Sequence, residues 1–102
     1  PDPYTSSNAN TLLAQFQNQW NAVFAGVPRD VAHLFSDRPI GAASAGTVGL
    51  AYTATVCNLQ NAYGISQTRY SPNFALRTAL LAHELGHNLG ADHCDGQPDC
   101  SV

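Results

Sequence analysis

Between residues 9 and 24 apolar side chains recur at three- and four-residue intervals. Leu12, Leu13, Phe16, Trp20, Val23 and Phe24 fall on one stripe of "NANTLLAQFQNQWNAVF". That period predicts an amphipathic helix lying on a sheet, with Trp20 in the core face. Asn8 or Asn10 can cap its start, and Gly26 with Pro28 stops it. The pattern then shortens. "DVAHLFS" (30–36) is a bounded run of strand type, and "TVGLAYTATV" (47–56) is a second, rich in Val, Thr and Tyr. Gly46 and Gly49 interrupt the second run, which suits an edge or bulged strand better than a central one. "AYGISQ" (62–67) is a third short strand. "SPNF" (71–74) makes a turn and a helix start. A helix then runs from Phe74 or Ala75 to Leu89, and Gly90 ends it. Three strands leave much of this second helix uncovered, a first sign of a piece of something larger.

Composition narrows the function classes. At 102 residues the chain is one domain at most. Hydrophobic residues are 44% and charged residues 11%, against roughly 25% charged in ordinary soluble domains. Lys is absent, and Arg29, Arg38, Arg69 and Arg77 are scattered through a chain of net charge −3. That is no phosphate-binding footprint, so nucleic acid is not an expected partner. No apolar run reaches the length of a membrane span, and "PDPYTSSNAN" is not a signal peptide. Cys94 and Cys100 are close enough in sequence to bridge. That would leave Cys57 as a free thiol, an intermolecular link, or half of a pair completed outside this chain.

The titratable groups are concentrated in "LAHELGHNLGADHC", Leu81 to Cys94. The single glutamate, Glu84, stands there beside His83, and His87 and His93 follow. Residues four apart on a helix differ by about 40° in direction and roughly 6 Å in height, so His83 and His87 can converge on one ion. Gly90 permits the positive φ that lets the chain leave the helix abruptly and return His93 as a third nitrogen. Three protein ligands leave one tetrahedral position open, as catalytic zinc requires. Glu84 is about 100° around the helix from His83. It is thus placed over the open position rather than on the ion. There it can take a proton from an attacking water and pass it to a leaving amine. Five fixed residues at this spacing arise by chance on the order of 10⁻⁸ to 10⁻⁷ per start site. His33 stands alone in a strand and reads as structural or surface rather than as a ligand. Asp92, Asp95 and Asp99 read as polar loop residues.

His83-Glu84-x-x-His87-x-x-Gly90-x-x-His93 resembles the signature of the metzincin clan of zinc endopeptidases. The wider sequence looks most like the reprolysin or ADAM-type (adamalysin) branch and its microbial relatives. "LLAQFQNQW" resembles a helix before the third strand, "RDVAHLFS" that strand, "GTVGLAYTATVC" the edge strand and "YGISQ" the last strand before the active-site helix. The resemblance implies an α+β, metzincin-like (zincin) catalytic-domain fragment. Its sheet would be twisted and mixed with an antiparallel edge strand, flanked by a packing helix and an active-site helix. It also implies one Zn²⁺ on His83, His87 and His93, Glu84 as general base, and an extracellular protein. A peptide or protein substrate would pair in extended form along Val48, Gly49, Leu50 and Ala51. Asp30 matches a position that helps bind Ca²⁺ in some relatives. The chain has no Met, whereas the family places a methionine turn after the third histidine. Residues 1–102 are therefore expected to lack that turn and the first strands, and Cys57 to have its partner beyond them.

Two other readings remain. One is a non-catalytic zinc-binding fragment or recognition module derived from such a domain. The other is a different zinc hydrolase built on H-E-x-x-H, of the deformylase type, whose third ligand is a cysteine.

Overall fold

The computed structural model of the chain describes residues 1–42 and 46–93. The first helical period folds as α1, Ala9–Val23. The Asn8 side chain caps it by accepting from the backbone N–H groups of Asn10 and Thr11, at 3.0 and 3.3 Å. These are two of the donors a helix start leaves unpaired. Ile40 reinforces the entry by accepting from the Ala9 N–H at 3.0 Å. Three strands follow, β1 Ala32–Ser36, β2 Gly49–Ala51 and β3 Tyr63–Gln67, and then α2, Phe74–Asn88.

The sheet has the order β1-β3-β2. β1 lies parallel to β3 with Ala32 opposite Tyr63, and β2 lies antiparallel to β3 with Leu50 opposite Ile65. The expected α+β class and mixed sheet are both present, and β2 is the expected antiparallel edge. It is much shorter than the 47–56 run suggested. Tyr52 still donates to the Tyr63 carbonyl at 3.1 Å, but the chain then turns, with Ala54 at φ 57° and Cys57 at φ 64°. The β-prone residues 53–56 serve another end, described below.

Side chains alternate across the central strand, so its two faces carry different layers. Tyr63 and Ile65 are fully buried with Leu12, Leu13 and Phe16 of α1, and with Ile40 and Ala32. Phe16 meets the Tyr63 ring edge-on at 5.5 Å. Gly64 and Ser66 face the other way, and α2 covers that side. The α1 stripe is shorter than its period implied. Trp20 is only partly buried, and Val23 and Phe24 are exposed, because α1 runs past the end of the small sheet. Arg29 fastens this end. It lies 5.1 Å from the centre of the Trp20 ring and donates to the Tyr63 hydroxyl and to the Phe24, Val27 and Leu59 carbonyls. The second helix is uncovered along much of its length, as expected: Phe74, Leu76 and Leu89 are exposed.

His33 is structural, as its isolation in the sequence implied. It is half-buried on the α2 side of β1, with Nε2 2.8 Å from the Ser66 hydroxyl. Burial pushes its pKa down to about 4. The unfolded chain, with an ordinary imidazole pKa of about 6.5, therefore binds this proton first as pH falls. Stability should drop between about pH 6.5 and 4, and His33→Gln should remove part of that slope. Urea unfolding of both proteins across the range checks it; parallel curves would contradict it. In the core, Leu12→Ala should cost about 2–5 kcal/mol in the same measurement, since Leu12 is fully buried.

Candidate metal centre

The site begins with how α2 ends. Leu89 closes the helix and Gly90 follows at φ +104°. The Ala91 N–H bonds back to the Gly86 carbonyl and the Gly90 N–H to the His87 carbonyl, both at 2.9 Å. This paired return is a Schellman turn, and its left-handed residue is the glycine anticipated from the sequence. It reverses the chain and carries His93 back over the helix face that bears His83 and His87.

The three imidazoles meet. Their Nε2 atoms form a near-equilateral triangle, with 3.0 Å between His87 and each of the other two and 3.1 Å between His83 and His93. The His87 Nδ1 lies 2.7 Å from the Ala91 carbonyl oxygen. A carbonyl only accepts, so the His87 proton sits on Nδ1 and its Nε2 presents a lone pair. The same bent segment thus fixes both the ring and its tautomer, as the outer partners of metal-binding histidines do. Three mutual contacts among three nitrogens cannot all be hydrogen bonds, because each N–H points at one acceptor. A cation among them resolves the conflict. Tetrahedral ligands at 2.0–2.1 Å from zinc stand about 3.3–3.4 Å apart, close to the spacing seen. The donor set fits a divalent metal, and among the described residues it is the one cluster of three or more metal-binding side chains.

Glu84, next to His83 in sequence, does not lie on the surface. It is buried, at 4% exposure, between α2 and the edge strand. It lines a cleft of about 290 Å³ together with Gly49, Leu50, Ala51, His87 and His93. Burial holds its carboxyl above the ordinary carboxylate range, and the neighbouring His87 pulls it partway back. Its Oε2 has no hydrogen-bond partner among the described residues. A buried, unpaired acceptor with raised basicity suits proton transfer.

The cleft's wall is the edge strand. Of the four residues expected to meet a substrate, Gly49, Leu50 and Ala51 lie in β2, and Val48 just precedes it. The ladder divides them. Val48 accepts from the Gln67 N–H at 2.8 Å and Leu50 pairs with Ile65. Alternation then directs the main-chain groups of Gly49 and Ala51 away from β3, toward the open edge. Cys94 and Cys100 lie outside the described residues. Among the described residues Cys57 is an exposed free thiol that donates to the Asp30 carboxylate, at 3.5 Å. Among the described residues Asp30 joins no group of three metal-binding side chains.

Comparison with known proteins points the same way. The model of the metallopeptidase family M12B, reprolysin-like, matches residues 1–94. The chain is 37% identical over 90 residues to snake venom metalloproteinase trimerelysin-2 of Protobothrops flavoviridis, covering 87% of this chain and 43% of that protein. It is 39% identical over 97 residues to human disintegrin and metalloproteinase domain-containing protein 9, covering 91% and 11%. With zinc metalloproteinase-disintegrin-like brevilysin H2a of Gloydius brevicauda it shares 38% over 90 residues, covering 86% and 20%. The chain thus spans less than half the length of each of these relatives.

One residue that holds the site together escaped the sequence reading. Asn88 is fully buried, and its Nδ2 donates to the Tyr52 and Tyr63 carbonyls, at 2.9 and 3.1 Å. It ties the last turn of α2 to the end of β2 and the start of β3. Backbone N–H groups of the loop complete the joint: Ala54 donates to the His87 carbonyl, and Thr55 and Val56 to that of Asn88, at 2.8, 2.9 and 3.0 Å. The available signal was position, since Asn88 lies four residues after Glu84 on the same helix face. Asn88→Ala should cost about 1–3 kcal/mol in denaturant unfolding. Asn88→Asp should cost at least as much at neutral pH, because a carboxylate would face two carbonyl oxygens. It should recover on acidification, when the acid can donate; a pH-independent deficit would contradict this account.

Proposed function

Because the chain belongs to the reprolysin-like M12B metallopeptidases, we propose that it is the site-bearing part of a zinc-dependent endopeptidase. The observation that carries this reading is the triangle of Nε2 atoms, 3.0–3.1 Å on a side, in one cleft with a buried glutamate. His83, His87 and His93 would hold the zinc. When bound, zinc polarises the scissile carbonyl and makes water a better nucleophile at neutral pH.

The other roles belong to the chain's own groups. Glu84 takes the proton of the attacking water on its unpaired oxygen and returns it to the leaving amine, so no covalent enzyme intermediate forms. The outward main-chain groups of Gly49 and Ala51 pair with an extended peptide laid antiparallel to β2. That strand-addition mode grips the substrate through its backbone. The Ala91 carbonyl keeps His87 in its ligating tautomer. The name of the venom relative supports an extracellular setting.

Glu84→Gln tests the assignment. The variant should bind zinc as the wild type does, while peptide hydrolysis falls on the order of 10²- to 10⁴-fold. If wild type and variant both bind zinc and neither turns over, the chain is a recognition module instead. His93→Ala should lose most of its zinc affinity by competition with a chelator. Undiminished affinity would point to a different third ligand.

A further inference from the structure

Gly49 has no side chain, and the space where one would begin is occupied. A Cβ there would stand 2.6 Å from Oε1 of Glu84 and 2.9 Å from both its Cδ and Cγ. Turning the carboxyl group alone would relieve the first contact and leave the contact with Cγ. The whole side chain would have to leave its position. The two backbones have little room to part. Gly49 is paired with Ser66 and flanked by the bond from Gln67 to Val48, while α2 is pinned to the same sheet by Asn88.

We propose that Gly49 is a positioning residue for the reaction: bare main chain at this point of the edge strand is the seat that holds the Glu84 carboxylate. Its catalytic consequence rests on the peptidase reading above; the seat itself does not. The arrangement sets two distances at once. The residue whose outward backbone groups meet the substrate is the residue the general base leans on. A peptide laid along β2 is therefore held at a fixed offset from the carboxylate, with no flexible segment between them. Such placement matters, since an error near 1 Å can cost on the order of 10²-fold in rate.

Gly49→Ala tests the seat. Its zinc affinity should match that of the wild type. Its kcat should fall about 10- to 100-fold, with KM changed by less than about threefold. Glu84→Asp, one methylene shorter, should cost less in the Gly49→Ala background than alone, because it returns the space that the new methyl group takes. A second measurement needs no turnover. Glu84 is the only glutamate in the chain, so a sample labelled with ¹³C-glutamate gives one carboxyl resonance. It should move in Gly49→Ala, and in the wild type the Glu84 side-chain protons should show Overhauser contacts to the Gly49 α-protons. That contact stays readable if the variant does not fold. Its absence, or a variant with unchanged kcat and an unmoved resonance, would overturn the proposal. If the wild type hydrolyses no peptide while contact and shift are both seen, the peptidase reading falls and the seat stands.

Discussion

Lone pairs on three neighbouring nitrogens repel unless something positive lies among them, and the end of α2 is shaped to bring three such nitrogens together. Two are delivered by helical geometry, since His83 and His87 are one turn apart. The third depends on a single backbone conformation. Gly90 at φ +104° closes a Schellman turn and sends His93 back. An L-residue with a β-carbon rarely adopts that φ, so the site is conditional on a glycine that has no side chain to offer a metal. The same turn supplies the Ala91 carbonyl that sets the His87 proton on its far nitrogen.

The remainder of the structure holds that helix end still. One face of the sheet packs on α1 through the apolar cluster of Leu12, Leu13, Phe16, Tyr63 and Ile65. The opposite face is different. Where α2 meets β2 and β3, the buried groups are polar: Glu84, Asn88 and Ser66. Burying such groups costs free energy unless they are paired. Ser66 is hydrogen-bonded and Asn88 is paired through its Nδ2, while one side-chain oxygen each of Glu84 and Asn88 has no partner among the described residues. Of these two oxygens only that of the Glu84 carboxyl can take up a proton, the role assigned to it, and buried polar atoms left unpaired often mark such positions.

The sequence was legible where one local rule governs. Both helices, the Asn8 cap of α1, the Gly90 end of α2, and β3 follow from period and capping residues alone. The histidine convergence follows from helix geometry plus one glycine. Readings failed where tertiary context decides. Residues 53–56 have strand propensity, but the N–H groups of Ala54, Thr55 and Val56 are taken by the carbonyls of His87 and Asn88, and β2 stops at Ala51. Val23 and Phe24 fit the α1 stripe, yet the sheet beneath does not extend that far. Neither the burial of Glu84 nor its contact with Gly49 could be read from spacing, because the partners are 35 residues apart and meet only through the sheet. The role of Asn88 likewise depends on Tyr52 and Tyr63, which approach it only through the fold.

The account turns on where a metal sits. Crystals of the chain grown with one equivalent of zinc, measured by anomalous diffraction at the zinc edge, address this most directly. The account predicts one strong peak within about 2.0–2.1 Å of the Nε2 atoms of His83, His87 and His93. A fully loaded crystal with the ion bound elsewhere, or with the His93 ring turned away from it, would contradict it.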